Sequence, residues 1–157
     1  MSDSTSVATP MVNRLTISNS GETLSIDEHT VYRYIVGCLL YLACWTRPDI
    51  SFSVSELSRF VAAPCEAHLV AAKHVLRYLR GTPDLGLTYS KSLSQGSQNQ
   101  LYGFVDSDWA GCHDTRRSTS GYTLMLNGAA VSWKSKLQTV VALSTAEAWL
   151  PHQWFRR

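Results

Sequence analysis

Two carboxylates follow an apolar, strand-like run in the second half of this 157-residue chain. The run starts at Leu101, and Asp106 and Asp108 stand at its end, ahead of a glycine turn. Strand alternation places Asp106 on the same face as Tyr102 and Phe104. Carboxylate oxygens hold hard divalent cations such as magnesium, and at strand ends they also stabilise ordinary turns. Both roles are open for Asp106 on this pattern alone.

A hairpin is predicted after this strand. Two further apolar runs, Gly121–Leu126 and Ala129–Trp133, are typical of strands, and Asn127-Gly128 between them is the strongest short-range hairpin signal. A loop is expected at Ser135–Val140. The sequence therefore predicts three consecutive strands, of which the first carries the carboxylates.

A short helix is predicted after the loop. Ser144 can cap it, and Glu147 lies three residues later, which is the spacing of a capping box. Pro151 obstructs the helix beyond that point. The expected order of elements in this region is β-β-β-α.

Four segments of this region resemble, in order and spacing, the ribonuclease H region of copia-type retrotransposon Pol polyproteins. These segments are Val105–Gly111, Arg116–Tyr122, Ala130–Gln138 and Val141–Ala148. Two upstream segments, Tyr41–Ile50 and Leu76–Thr82, resemble the stretch between the polymerase palm and ribonuclease H in that family. The resemblance covers roughly residues 5–148. It implies a fragment that spans the end of the reverse transcriptase and the N-terminal half of ribonuclease H.

The fold implied by the resemblance is α+β: a three-helix thumb-like unit followed by an incomplete ribonuclease H-like β-β-β-α half-domain. Five segments are expected along the chain. They are a flexible lead at 1–26, a helical thumb- or connection-like unit at 27–81, a linker at 82–100 with a candidate strand at Leu85–Tyr89, a truncated ribonuclease H-like domain at 101–148, and an aberrant tail at 149–157.

Three helices are predicted in the first unit. Asp27 is expected to cap a helix at Glu28–Trp45, and the others are predicted at Ile50–Ala62 and Glu66–Arg80. The first helix has a broad apolar girth, so it is expected to be mostly buried. Tyr34, Cys38, Tyr41 and Cys44 fall on one apolar stripe, which Ile35, Leu39 and Leu42 widen.

The resemblance assigns Asp106 as the first catalytic aspartate and as a ligand of the two magnesium ions that ribonuclease H chemistry uses. The family's helix carries a second catalytic glutamate, and Trp149 occupies that position here. Glu147 is a poor substitute, because two residues along a helix correspond to about 200° of rotation. Its favoured role is to complete the cap at Ser144. One carboxylate cannot hold a magnesium pair, so the parent family's magnesium is not expected to bind stably here.

Two groups of cations are candidates for nucleic-acid contact, and the family implies an RNA–DNA hybrid as the partner. Lys73, Arg77 and Arg80 are spaced four and three residues apart, which lines them along one helix face. The second group is Arg116, Arg117, Lys134 and Lys136. A solvated surface is the alternative for both groups.

Composition bounds the class of protein. A hydrophobic fraction of 45% and a charged fraction of 17% are typical of a globular chain, and a net charge of +2 is too small to indicate nucleic-acid binding by itself. The chain begins without a signal-peptide pattern and lacks an apolar run of about 20 residues. We therefore expect an intracellular protein, cytoplasmic or nuclear, without a membrane partner.

Three functions are open at this point. The first is a retrotransposon Pol remnant that cleaves nothing and binds nucleic acid weakly. The second is an enzyme, a metal-dependent ribonuclease H completed by another chain or by a longer product. The third is a domesticated interaction module, since a half-domain leaves a sheet edge exposed for self-association.

Overall fold

The computed structural model describes residues 4–12, 21–89, 100–112 and 114–149. The chain divides into two compact units, Met1–Gly86 and Leu87–Arg157. The described residues form helices in the first unit and a three-stranded sheet with one short helix in the second. The predicted α+β class is therefore confirmed. Much of the predicted lead, linker and tail, at 13–20, 90–99 and 150–157, lies outside the described residues.

Helix α1 spans Ile26–Trp45 and begins two residues earlier than predicted. Ser25, rather than Asp27, is its N-cap: the Ser25 hydroxyl accepts from the Glu28 N–H, and the Glu28 carboxylate accepts from the Ser25 N–H at 3.2 Å. This reciprocal pair satisfies the backbone N–H groups of both Glu28 and Ser25. A helix capped by Asp27 would leave these two N–H groups without these partners.

The buried face of α1 is not the predicted one. Tyr34 is 75% exposed and Tyr41 is 65% exposed, and Cys38 and Cys44 are exposed as well. Of the residues expected to widen the stripe, Leu39 is buried and Ile35 and Leu42 pack partly buried against the core. The other buried residues of the helix are Tyr32, Val36 and Ala43. A helix that is apolar on most sides gives no signal for which side meets its neighbours, so the predicted stripe was wrong.

Two further helices complete the first unit. A 3-10 turn at Pro48–Ile50 leads into α2 at Ser51–Ser58, and α3 spans Glu66–Gly81. The prediction for α3 is confirmed to within one residue, whereas α2 ends earlier than predicted because the Arg59 N–H bonds to the carbonyl of Glu56, three residues back. Leu39, Val54, Leu57, Ala72 and Val75 are among the side chains that form the common core.

A buried arginine joins the end of α3 to the connection between α1 and α2. Arg47 is only 6% exposed, and its guanidinium binds the Asp49 carboxylate and both the carbonyl and the hydroxyl of Thr82. The Tyr78 hydroxyl donates to Asp49 at 2.8 Å. Burial alone would raise the pKa of Asp49, but the hydrogen bonds from Arg47 and Tyr78 hold it below its ordinary value. This cluster fixes the position of the C-terminal turn of α3.

The sheet of the second unit is antiparallel, in the order β1-β2-β3. The strands are β1 at Tyr102–Ser107, β2 at Thr119–Leu126 and β3 at Ala129–Leu137. Asn127 and Gly128 have φ of 51° and 87°, the left-handed values that a tight two-residue hairpin turn requires, so the predicted hairpin is confirmed.

Two predictions for this unit were wrong. The loop expected at Ser135–Val140 begins later, because Ser135 to Leu137 continue β3 and pair with β2. The candidate strand at Leu85–Tyr89 is not a strand; its Tyr89 hydroxyl donates to the Ala130 carbonyl at 2.9 Å, so it meets the sheet through a side chain rather than a backbone ladder.

The helix α4 spans Thr145–Trp149. In the described ranges, no helix has the length and apolarity needed to cross a membrane.

Candidate metal and nucleic-acid site

Asp106 lies next to the end of β1, opposite Gly121 of β2. Its side chain is exposed, and within the described ranges no group hydrogen-bonds to its carboxylate. Alternation along β1 puts it on one sheet face with Tyr102 and Phe104, whose rings meet edge to face at 5.8 Å. The structure therefore presents Asp106 as a solvated carboxylate beside two aromatic rings.

Asp108 closes the turn that follows β1. Its carboxylate accepts from the Thr119 N–H, and its own N–H donates to the Thr119 carbonyl at 3.0 Å. Gly111 packs so closely against this carboxylate that a Cβ there would lie 2.7 Å from the Asp108 Cγ. Asp108 is thus a structural residue that ties the turn to β2.

Glu147 serves the first turn of α4. The Glu147 N–H donates to the Ser144 hydroxyl at 3.1 Å, which confirms Ser144 as a capping residue. A capping box would have the Glu147 carboxylate accept from the Ser144 N–H. It accepts instead from the N–H of the preceding residue, Leu143, at 2.7 Å. The second carboxylate near the predicted site is therefore also bonded to a backbone amide.

Hydrogen bonds to one carbonyl tether α4 to the sheet. The Ala148 carbonyl accepts from the Ser107 hydroxyl at 2.9 Å and from the Gln138 amide at 2.8 Å. The Gln138 amide also donates to the Ser120 hydroxyl at 2.6 Å. Carbonyls at the end of a helix lack intrahelical partners, and these side chains supply them. Neither spacing nor residue type in the sequence singled out Ser107, Ser120 or Gln138.

Trp149 stands at the position where the family resemblance implies a catalytic glutamate, and this residue is 53% exposed. An indole offers one N–H donor and no oxygen ligand. Among the described residues, no group of three or more His, Cys, Asp or Glu side chains comes together in a way that could hold a metal ion. The donors present do not fit a pair of magnesium ions.

The cations of α3 are partly engaged by the N-terminal segment. The Arg77 Nε–H donates to the Thr5 carbonyl at 2.7 Å, and Arg80 donates to the Ser4 carbonyl. Lys73 is exposed. Of the three cations predicted to line one face, two are therefore in contact with residues of the chain itself.

The cations of the second unit lie away from Asp106. Lys134 and Lys136 are exposed on β3 and pair with Tyr122 and Ser120, whereas Asp106 pairs with Gly121. Because neighbouring strand residues alternate between faces, both lysines lie on the sheet face opposite Asp106. The sequence could not give this result, since it depends on the register of all three strands.

The two arginines of this group belong to the turn between β1 and β2. Arg116 has φ of 55°, and its N–H donates to the Cys112 carbonyl at 2.8 Å. The Arg117 carbonyl accepts from the Cys112 N–H at 3.0 Å. Their backbones shape the turn, and the Arg116 side chain is exposed.

Comparison with known proteins places the chain in a family. It is 44% identical to the retrovirus-related Pol polyprotein from transposon RE1 of Arabidopsis thaliana. The 142 matched residues cover 90% of this chain and 9% of that polyprotein. It is 40% identical to the Pol polyprotein from transposon TNT 1-94 of Nicotiana tabacum, over 94% of this chain and 11% of the polyprotein. This chain belongs to the retrovirus-related Pol polyproteins of copia-type retrotransposons.

The chain corresponds to a fragment of Pol, since it spans about a tenth of those two polyproteins. It also covers 82% of a shorter relative, the secreted RxLR effector protein 161 of Plasmopara viticola, at 47% identity over 120 residues and 76% of this chain. No family model matches the chain. No solved structure matches it either.

The contact between Gly111 and Asp108 predicts a stability effect at this Pol fragment's turn. Gly111→Ala should destabilise the second unit by about 1–3 kcal/mol, because the Asp108 carboxylate must move and release the Thr119 N–H. Hydrogen exchange of the β2 amides measures the loss. Gly121→Ala is the matched control, since its Cβ would meet only the Lys134 carbonyl at an ordinary 3.5 Å.

A double-mutant cycle separates this contact from a general effect of the added methyl group. In an Asp108→Ala background, Gly111→Ala should have little further effect on exchange, because the obstructing carboxylate is gone. An equal loss in both backgrounds would show that the contact with Asp108 is not what requires glycine.

Proposed function

We propose that this Pol fragment contacts nucleic acid through surface cations and does not by itself cleave the RNA strand of an RNA–DNA hybrid. In this proposal its two units correspond to a reverse transcriptase thumb-like unit and to part of a ribonuclease H domain. The observation that carries the absence of cleavage is the local use of the carboxylates: Asp108 and Glu147 are bonded to backbone amides, and Asp106 accepts no such bond within the described residues.

Ribonuclease H chemistry supports the second half of this proposal, the absence of cleavage. Two divalent cations must be held close together by several carboxylates to stabilise the attacking and leaving oxygens. Asp106 supplies one exposed carboxylate, and Trp149 supplies none. Turning Glu147 toward Asp106 would remove its bond to the Leu143 N–H and would require a large rotation of α4.

Surface charge supports the first half, the contact with nucleic acid. Lys134 and Lys136 stand two residues apart on one face of β3, and both are exposed. Lysine acts as a point charge toward phosphate, so such a pair would contribute affinity without reading sequence. With about two phosphate contacts, the binding would be weak and strongly dependent on salt.

The test uses a hybrid with a labelled RNA strand and magnesium in the buffer. We expect the full chain to bind it, with an affinity that falls about tenfold between 50 and 200 mM salt, and to leave the RNA intact. Lys136→Gln should weaken binding and reduce the salt slope by about one, whereas Arg33→Gln on the exposed side of α1 is the charge-matched control. Fluorescence anisotropy and a denaturing gel report both results.

Two outcomes would contradict the proposal. Magnesium-dependent cleavage that Asp106→Asn abolishes would show that this chain is an active nuclease. Binding that does not change with salt, or that Lys136→Gln leaves unaltered, would remove the proposed contact with phosphates.

Self-association is a second candidate, favoured by the exposed outer edge of β1. In the described part of the sheet, β1 has a strand neighbour on one side only. Phe104 is 64% exposed, and β1 contains neither lysine nor proline, the residues that usually protect an edge. If two β1 strands pair antiparallel about their centre, Asp106 of each copy faces Gly103 of the other, so no like charges meet directly.

Sedimentation velocity tests this pairing. We expect the wild-type chain to form dimers as its concentration rises, and Phe104→Lys to remain monomeric. Val131→Lys, an exposed position on the other edge strand, β3, is the control and should still dimerise. A wild-type monomer at every concentration, or dissociation by Val131→Lys instead, would rule out pairing through β1.

A further inference from the structure

The N-terminal segment at residues 4–12 lies along α3, and we call it the strap. Its main-chain carbonyls accept hydrogen bonds from three side chains that are spaced three residues apart along that helix. Arg80 donates to the Ser4 carbonyl, Arg77 donates to the Thr5 carbonyl at 2.7 Å, and His74 bonds to the Thr9 carbonyl at 3.0 Å. A segment whose composition predicted a flexible lead is therefore in contact with the predicted cationic face.

Packing also holds the strap. Val7 is partly buried against the core of the first unit. Ser6 lies over the last residue of α3, since a Cβ on Gly81 would come within 2.9 Å of the Ser6 Cβ. Glycine at position 81 thus leaves room for the strap to pass close to the helix end.

The strap binds the Arg77 Nε–H and the Arg80 Nη1 group without neutralising either charge. Residues 4–12 contain no acidic side chain. A guanidinium binds phosphate oxygens with the same N–H groups, and a bond to an anionic oxygen is roughly twice as strong as one to a neutral acceptor. The carbonyls of Ser4 and Thr5 therefore occupy one nitrogen of each guanidinium, and a phosphate oxygen would bind the same N–H groups more strongly.

We propose that the strap is a displaceable cover over the cationic face of α3, and that nucleic-acid phosphates compete with it for Arg77 and Arg80. This inference rests on the nucleic-acid contact proposed above and adds a second, masked contact in the first unit. The two arginines bind phosphate only while the strap is displaced. The apparent affinity of α3 for phosphates is therefore its intrinsic affinity multiplied by the fraction of time for which the strap is displaced.

The test loosens the strap without altering any cation. Gly81→Ala places a methyl group against Ser6, and Gly86→Ala is the control because a Cβ there would meet no atom within 4 Å. If the strap covers the face about nine-tenths of the time, Gly81→Ala should raise the affinity for the RNA–DNA hybrid about tenfold at low salt. It should also steepen the salt slope by nearly two, because two arginines become available.

A second variant approaches the strap from its apolar anchor. Val7→Asn should produce the same gain, whereas Val12→Asn, at an exposed strap position, should not. In the Gly81→Ala chain, adding Arg77→Gln and Arg80→Gln should abolish the gain. The ¹⁵N heteronuclear NOE of the residue 4–9 amides shows directly whether the strap has loosened.

The possible results separate the two proposals. Wild-type binding that neither Gly81→Ala nor Val7→Asn increases overturns the strap and leaves the contact at Lys134 and Lys136 standing. Heteronuclear NOE values of the strap that are as high in both variants as in the wild type also overturn it, because the cover would then not be displaceable. If no chain binds the hybrid at all, the proposed function and the strap fail together.

Discussion

Backbone amides bind two of the carboxylates that follow β1 in this protein. Asp108 accepts from the Thr119 N–H at the end of the β1 turn, and Glu147 accepts from the Leu143 N–H at the start of α4. Both bonds are exposed, so turning either carboxylate away would cost about 0.5–1.5 kcal/mol, the net contribution of an ordinary hydrogen bond. Asp106 is exposed, and no group of the described residues hydrogen-bonds to its carboxylate.

The same local use of polar groups organises the first unit. Arg47 satisfies Asp49 and two oxygens of Thr82, which fixes the end of α3. Beyond this cluster, Arg77 and Arg80 reach outward and meet the carbonyls of the strap. Arg77 and Arg80, the two arginines of the proposed second contact, are therefore carried by a helix whose end Arg47 holds in place, and a segment without acidic side chains lies over them.

Local signals in the sequence were sufficient to predict an element where its backbone geometry allows few residue types. Asn127-Gly128 predicts the hairpin because both positions need a left-handed φ, and Glu66 to Gly81 predicts α3 because one face of that helix is apolar and the other is polar. The failures share a cause: the deciding contact was distant or carried no side-chain signature. The α1 face depended on its neighbours, and the strap binds through carbonyls that every residue possesses.

The register of the sheet shows the same limit. A sequence can place Asp106, Lys134 and Lys136 on strands, but only the pairing of all three strands puts the lysines on the face opposite the acid. A shift by one residue would have brought them to the same face. The positions of these side chains relative to one another thus depended on how the strands pair. The resemblance of their segments to Pol proteins could be recognised without knowing that pairing.

The most direct measurement of the central claim is a magnesium titration of the ¹⁵N-labelled chain, followed through the amide shifts of β1 and compared with Asp106→Asn. The account predicts weak, non-saturating shifts at the end of β1 that stay in fast exchange, together with unchanged Thr119 and Leu143 amides. Saturable binding of two ions per chain that Asp106→Asn abolishes, with the Leu143 amide released from Glu147, would contradict it.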